Sequence, residues 1–191
     1  MQKRLYPIWA SLAILLFFTI LYIIKGNYEF LTYVVALLVV IFFIFKTDKI
    51  YQYSSLARWS FAVWMFSHMA GGSFYFNGTR LYDIILVKIL SEPYNILKYD
   101  QLIHGFCYFV ITLFVYSVVK FTAKEKIKTK SALALVFLAS IGIGALNEII
   151  EFLTVALFNS QGVGGYFNNA LDLIFNSIGA IIAVFYAKKY Y

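Results

Sequence analysis

The sequence has few charged residues, and this scarcity is the first clue to its class. Asp, Glu, Lys and Arg make up 13% of the 191 residues, hydrophobic residues make up 62%, and the mean hydropathy is +0.80. Soluble globular domains carry about 25% charged residues. The composition therefore excludes an ordinary soluble enzyme or binding module and indicates a polytopic membrane protein.

Cysteine and the common catalytic motifs are almost absent. The single cysteine, Cys107, lies inside an apolar run, so an intramolecular disulfide is impossible and a role in helix packing is expected. The sequence contains no CxxC, HExxH or Ser-His-Asp arrangement. The glycine-rich stretch QGVGG is not a phosphate loop, because no Lys-Ser/Thr pair follows it. These absences exclude the best-known thiol, zinc-protease and nucleotide-binding chemistries.

Six apolar runs predict an all-α membrane protein with six transmembrane helices in a single domain, residues 1–191. Crossing about 30 Å of hydrocarbon takes about 20 apolar residues. Between the third and fourth runs, residues 77–98 mix charges with apolar residues at 81, 84, 85 and 89, which predicts a short helix lying in the membrane interface. The predicted helices cover residues 6–24, 30–45, 56–76, 100–119, 131–157 and 167–187.

The positions of the lysines and arginines predict the orientation in the membrane. With the N-terminus in the cytoplasm, twelve of them lie on the inner side and four on the outer side. We therefore expect both termini to be cytoplasmic, in an inner or plasma membrane. A net charge of +7 would suggest a nucleic-acid partner in a soluble protein, but here the charges lie between apolar runs, so no nucleic acid is expected.

Polar residues within the predicted helices concentrate at one depth. A rise of about 1.5 Å per residue places them all in the outer half of the bilayer. Within each helix they are three or four residues apart, so they share a helix face. The set contains His68 in the third helix, Asp100 and His104 in the fourth, Glu148 and Glu151 in the fifth, and Asp172 and Asn176 in the sixth.

These residues form a candidate site because ionisable groups in hydrocarbon cost a few kcal/mol each and are functional candidates by default. Either protons or a cation would have to neutralise them. Imidazole and carboxylate ligands suit zinc, manganese or iron. The predicted acid-base pair is Glu148 with His104. The predicted metal ligands are His68, Asp100, His104, Glu148, Glu151 and Asp172, with Tyr99, Asn147 and Asn176 as neighbouring polar groups.

Three functions remain open from the sequence. The first is an enzyme, metal-dependent or using an acid-base pair, that acts at the outer leaflet on a lipid or lipid-linked envelope substrate. The second is a transporter or ion-binding protein, although the inner half of the bundle has few polar groups to form an exit path. The third is a structural protein whose polar network only packs helices, with Asp100 as no more than a helix cap. The expected partners are membrane lipids and a lipid or lipid-linked substrate, and the sequence does not indicate an oligomeric state.

The order of the motifs HMAGGSFYF, KYDQLIHGF, GALNEIIEF, QGVGG and ALDLIFNSIGA resembles the YjdF-like family of small prokaryotic inner-membrane proteins, whose function is uncharacterised. Asp172, Asn176, Gly179 and Ala180 in the last motif also resemble the VanZ-like proteins, which are associated with glycopeptide antibiotic tolerance. The first resemblance implies functional roles for His68, Tyr99, Asp100, His104, Glu148, Glu151 and Asp172. This chain has Asn168 and Asn169 where the family pattern has further acidic residues.

Overall fold

The computed structural model describes residues 2–90, 92, 94–123, 128–158 and 165–190. Six α-helices dominate the described chain, which confirms the predicted number of helices. They are α1 (Gln2–Lys25), α2 (Tyr28–Tyr51), α3 (Ser55–Ser73), α4 (Tyr99–Ala123), α5 (Thr129–Phe158) and α6 (Tyr166–Tyr190). Four short strands lie between α3 and α4: β1 (Tyr75–Phe76), β2 (Thr79–Arg80), β3 (Ile85–Leu90) and β4 (Ile96–Lys98).

Within the described part of the chain, four helices are long and apolar enough to cross a membrane. The candidate spans are Lys3–Lys25, Tyr99–Ala123, Thr129–Leu153 and Tyr166–Lys189. They belong to α1, α4, α5 and α6, which supports a membrane location. Membrane crossing by α2 and α3, and the orientation of the termini, stay predictions.

Local capping interactions define where several helices begin and end. The Asn27 side chain accepts a hydrogen bond from the backbone N–H of Phe30 at 3.3 Å, so it caps the start of α2. Gln52 adopts a left-handed conformation with φ 49° and ends the same helix. At the start of α4, the Gln101 side chain accepts a hydrogen bond from the backbone N–H of Lys98 at 3.0 Å, as in one half of a capping box.

The chain forms two compact units, Met1–Ile84 and Ile85–Tyr191. In the first unit, α1 packs against α2 and α3, and the rings of Phe18 and Tyr22 are fully buried. The Tyr22 hydroxyl donates a hydrogen bond to the Met69 carbonyl at 2.9 Å, which ties α1 to α3. Because a buried hydroxyl needs a partner, this bond fixes the relative height of the two helices.

The second unit is a three-helix arrangement of α4, α5 and α6, preceded by the β3–β4 hairpin. Two glycines let α4 and α6 approach closely, because a Cβ added at Gly179 would overlap the carbonyl oxygen of Gly105. Small residues at membrane helix crossings allow backbones to come this near. Gly142 on α5, by contrast, has no atom within 4 Å of the position its Cβ would take.

The predicted interfacial helix between the third and fourth helices is wrong. The described part of 77–98 contains a 3-10 helix (Leu81–Asp83) and strands, and β3 pairs antiparallel with β4. The β3 sequence ILVKIL contains three β-branched residues, which favour strands over helices. The third helix also ends earlier than predicted, because Tyr75 and Phe76 pair with Arg80 and Thr79 in a small hairpin.

Two predictions concern segments outside the described residues. The glycine-rich loop before the last helix falls mostly within 159–164, and only Gly165 of its glycines is described. Two of the lysines used to predict the orientation, Lys124 and Lys126, fall within 124–127.

Candidate functional site

All the predicted site residues except His68 lie in the second unit. Asp100 and His104 occupy the first turns of α4, Asp172 and Asn176 lie within the first three turns of α6, and Glu148 and Glu151 lie toward the end of α5. The described helices therefore bring together the carboxylates and the imidazole that the i, i+3 and i, i+4 spacings predicted to share a face. The group of Asp100, His104, Glu148, Glu151, Asp172 and Asn176 is called the polar site below.

His104 lies between three side chains of the polar site. Its Nδ1 atom is 3.2 Å from Oδ1 of Asn176 and 3.7 Å from Oε1 of Glu148. Its Nε2 atom is on the other side of the ring, 3.8 Å from Oδ1 of Asp100. The imidazole therefore contacts α5 and α6 with one nitrogen and its own helix with the other.

Asparagine amides hold the carboxylates of the polar site. The Asn169 amide donates to Oε2 of Glu148 at 2.9 Å, and the Asn176 amide lies 3.5 Å from Oε1 of the same residue. The Asn168 amide donates to Oδ2 of Asp172 and lies 3.4 Å from Oδ2 of Asp100. These neutral donors orient the carboxylates without cancelling their charge.

Glu151 has its own amide partner, Asn147, which donates to Oε1 of Glu151 at 2.8 Å. Asn147 was predicted as a neighbouring polar group, and the two residues are one helical turn apart on α5. Tyr99 is the first residue of α4 and is partly buried. Since α4 begins at Tyr99, Asp100 lies within the first turn and is not the N-cap.

The inner members of the polar site are deeply buried. Asp172 is 0% exposed, Asn176 1% and Glu148 4%, whereas the side chains of His104 and Asp100 keep 16% and 21% of their surface accessible. Asp100, Glu148 and Asp172 form no ion pair with a lysine or arginine among the described residues. The Oδ1 atom of Asp172 is buried without a hydrogen-bond partner in the described chain. Buried negative charge without a positive partner is expensive, so the arrangement favours an added cation or proton.

Among the described residues, two groups of three side chains could hold a metal ion. One contains Asp100, His104 and Asp172, and the other contains His104, Glu148 and Glu151. In each group, every residue offers one ligand atom, and these atoms all lie within 4.8 Å of one another. His104 belongs to both groups and is therefore the central residue of the polar site.

His68 lies in the first unit, in different surroundings. Its Nδ1 atom forms a short hydrogen bond with the Tyr82 hydroxyl, which also donates to the His68 carbonyl at 2.9 Å. The Trp64 ring stacks on the imidazole at a centroid distance of 5.3 Å, and the Tyr33 ring meets it edge-on at 5.4 Å. Both candidate ligand groups consist of second-unit residues, and a metal-binding role for His68 stays a prediction.

Sequence reasoning missed the roles of two asparagines and one glutamine. Asn168 and Asn169 were noted only as replacements for acids, yet both donate to carboxylates of the polar site. The signal was present, because Asn168, Asp172 and Asn176 recur every four residues on α6. Gln101 is 0% exposed, and its Nε2 atom has no hydrogen-bond partner among the described residues.

The chain belongs to the family described as "predicted membrane protein" (DUF2238), whose model matches residues 6–191. No curated protein and no solved structure matches the chain. Family membership therefore agrees with the membrane location that the spans indicate, and it assigns no activity.

Proposed function

We propose that this membrane protein is a metal-dependent enzyme that acts on a lipid or lipid-linked substrate of the cell envelope. The observation that carries the proposal is the central position of His104, which is shared by two groups of carboxylates. The resemblance to the YjdF-like family extends the proposal to a prokaryotic inner membrane. The distribution of lysine and arginine supports placing the site in the outer half of that membrane, with both termini in the cytoplasm.

The charge of the polar site supports a cation as its ligand. Four carboxylates surround one imidazole, and two unit charges about 4 Å apart repel each other by roughly 4 kcal/mol at an effective dielectric constant of 20. A divalent ion would balance two of the four charges. Nitrogen and carboxylate oxygen donors without thiolates suit zinc, manganese or iron(II).

The same arrangement supports hydrolytic chemistry. A bound divalent ion lowers the pKa of a coordinated water and so supplies a nucleophile at neutral pH. Glu148 and Glu151 belong to the second ligand group around His104 and would act as the general base that accepts a proton. The leaving oxygen of a lipid ester or phosphoester would then receive this proton. The apolar surfaces of α4, α5 and α6 would bring a lipid to the site from the bilayer.

The polar residues elsewhere in the second unit favour an enzyme over a transporter. The hydroxyls of Thr112, Ser117, Ser140 and Ser177 each donate to a backbone carbonyl four residues earlier in their own helix. These hydroxyls therefore have local partners and do not extend the hydrogen-bond network of the polar site. A polar path through the bundle, which transport would need, is not evident in the described helices.

The first experiment measures metal content and lipid turnover on the same preparation. Protein purified in detergent without chelator is analysed by elemental mass spectrometry, and products from an envelope lipid extract are followed by liquid chromatography and mass spectrometry. We expect near-stoichiometric zinc, manganese or iron, with turnover lost on chelation and in Glu148→Gln. His68→Ala is the matched histidine control for His104→Ala, and we expect only His104→Ala to lose the metal.

Three results would contradict the proposal. Folded wild-type protein that binds no divalent ion would exclude a metal-dependent function. Bound metal with ion uptake into liposomes, and no change in any lipid, would replace the enzyme by a transporter. Equal thermal stability loss in all variants, with neither metal nor uptake, would leave only a helix-packing network.

A further inference from the structure

The hydrogen bonds around His104 determine which ring nitrogen carries the proton. The amide nitrogen of Asn176 is directed to Oε1 of Glu148, so the atom that Asn176 presents to the imidazole is its carbonyl oxygen, 3.2 Å from Nδ1. A carbonyl oxygen only accepts hydrogen bonds, so Nδ1 must be the donor. In a neutral imidazole the lone pair is then on Nε2.

This lone pair faces another acceptor. The Nε2 atom lies 3.8 Å from Oδ1 of Asp100, a separation too long for a hydrogen bond. Two electron-rich atoms that face each other at this distance leave a position for a positive species between them. Metal-bound histidines commonly have this arrangement, with the second ring nitrogen donating to a carbonyl or carboxylate oxygen.

The two aspartates are held so that one oxygen of each remains available. The Asn168 amide contacts the Oδ2 atoms of both Asp100 and Asp172. Asp172 is 0% exposed, and its Oδ1 atom has no hydrogen-bond partner among the described residues. Such an unpaired buried acceptor destabilises the fold unless a ligand satisfies it. An independent observation therefore indicates a missing ligand at the aspartate side of the imidazole.

The glutamates are held differently. Both oxygens of Glu148 are near amide donors, Oε2 at 2.9 Å from Asn169 and Oε1 at 3.5 Å from Asn176. Oε1 of Glu151 accepts from Asn147. Moreover, the imidazole nitrogen that faces Glu148 is Nδ1, which carries the proton and cannot bind an ion. The oxygens of Glu148 therefore already have amide donors.

We propose that the polar site binds one divalent cation on the Nε2 side of His104, with Asp100 and Asp172 as its other protein ligands. Glu148 and Glu151 lie outside the coordination sphere, and Asn168 and Asn176 are positioning residues. The inference rests on the proposed function only in requiring that a cation binds. It assigns the ion to one of the two possible groups and sets the stoichiometry at one.

Distance and charge both fit this assignment. A central point among three atoms no more than 4.8 Å apart lies within about 2.8 Å of each, and zinc bonds to nitrogen and carboxylate oxygen are about 2.0–2.2 Å. Side-chain movements of less than about 1 Å therefore close the site. Two aspartates and one divalent ion make a neutral unit, which suits a buried position in a membrane protein.

Nitrogen-15 NMR of histidine tests the assignment in wild-type protein. The chain has only two histidines, so a His68→Gln spectrum identifies the signals of His104. Without metal, we expect the proton on Nδ1 of His104. Addition of Zn²⁺ should shift the Nε2 resonance and leave the Nδ1–H in place. A proton on Nε2 in the metal-free protein, or coordination through Nδ1, would overturn the proposal.

Zn²⁺ binding to matched variants tests the ligand set. We expect one ion per chain, an affinity at least about 100-fold lower in Asp172→Asn, and a decrease of no more than about 10-fold in Glu148→Gln. Asn176→Ala should weaken Zn²⁺ binding by about 10- to 100-fold. It should also allow the proton of His104 to move from Nδ1 to Nε2, which the loss of a purely structural residue would not do. Two ions per chain, or equal losses in the aspartate and glutamate variants, would overturn the ligand assignment while the metal-dependent function stands. Absence of binding of Zn²⁺, Mn²⁺ and Fe²⁺ alike would overturn both.

Discussion

Replacing Gly179 by alanine would force α4 and α6 apart beside the polar site. The new Cβ would overlap the Gly105 carbonyl oxygen, and it would lie 2.8 Å from the Gly105 carbonyl carbon and 3.0 Å from the Phe109 backbone nitrogen. Nonbonded carbon atoms prefer about 3.5–4.0 Å, so the helices must separate by about 1 Å. Every clashing atom belongs to the backbone and cannot rotate away.

The expected change in the free energy of unfolding of Gly179→Ala has two opposing contributions. Overpacking of this kind costs about 1–3 kcal/mol, and the higher helix propensity of alanine returns up to about 1 kcal/mol. Gly142→Ala on α5 is the matched control, because nothing lies within 4 Å of its added Cβ. We expect the control to be neutral or slightly stabilised. The difference between the two variants then isolates the overlap, at about 1–3 kcal/mol.

The separation also predicts a functional effect. His104 precedes Gly105 on α4, and Asn176 lies one turn before Gly179 on α6, so a shift of about 1 Å would break their 3.2 Å hydrogen bond. We expect Zn²⁺ affinity to fall about 10- to 100-fold in Gly179→Ala and to be unchanged in Gly142→Ala. Stability comes from thermal unfolding in detergent followed by circular dichroism, and affinity from equilibrium dialysis. Equal stability and affinity of the two alanine variants would refute the close helix contact.

Three further predictions concern the first unit. Asp48→Asn should cost about 3–5 kcal/mol, because it leaves the buried Arg58 guanidinium, now 2.9 Å from Oδ1 of Asp48, without its counter-ion. Asp83→Asn, which breaks a pair whose carboxylate is 50% exposed, should cost no more than about 1 kcal/mol by the same thermal unfolding measurement. Tyr82→Phe should destabilise the protein by about 1–3 kcal/mol and change the nitrogen-15 spectrum of His68, since it removes the hydroxyl that bonds to Nδ1. An unchanged His68 spectrum would contradict that contact.

The helices were predictable because their cause is local. A run of about 20 apolar residues is enough to predict a helix in a membrane protein, and no tertiary information is needed. The end of α2 shows the limit of this rule. Charged residues at 46–49 led to a predicted end at residue 45, but the helix continues to Tyr51. Asp48 can remain in the helix because it pairs with Arg58 of α3, a partner that hydropathy does not reveal.

The β3–β4 hairpin was missed because two periodicities competed. Apolar residues at 81, 84, 85 and 89 match a helical face, but a strand needs only a short run of β-branched residues and a pairing partner. That partner, Ile96–Lys98, directly precedes α4 and was assigned to the predicted interfacial helix. Strand pairing depends on a second segment, so a window that considers one segment cannot detect it.

The polar site was predictable at the level of helix faces. Spacings of three and four residues placed Asp100 with His104 and Asp172 with Asn176, and the described structure brings these pairs together. The sequence could not determine which atoms face each other. The proton position on His104 depends on the orientation of the Asn176 amide, which in turn depends on Glu148 from a third helix. This hydrogen-bond network joins side chains of three helices, so it can be identified only from the three-dimensional structure.

The asparagines of α6 show how neutral side chains can support a metal site. Buried carboxylates need hydrogen-bond donors, and a lysine or arginine would supply them while cancelling the negative charge. Asn168 and Asn169 instead donate to Asp172 and Glu148 as neutral amides, so the carboxylates are held in place and their charge is kept. A site built this way still requires a positive ligand. A cation held by Asp100, His104 and Asp172 would supply that charge.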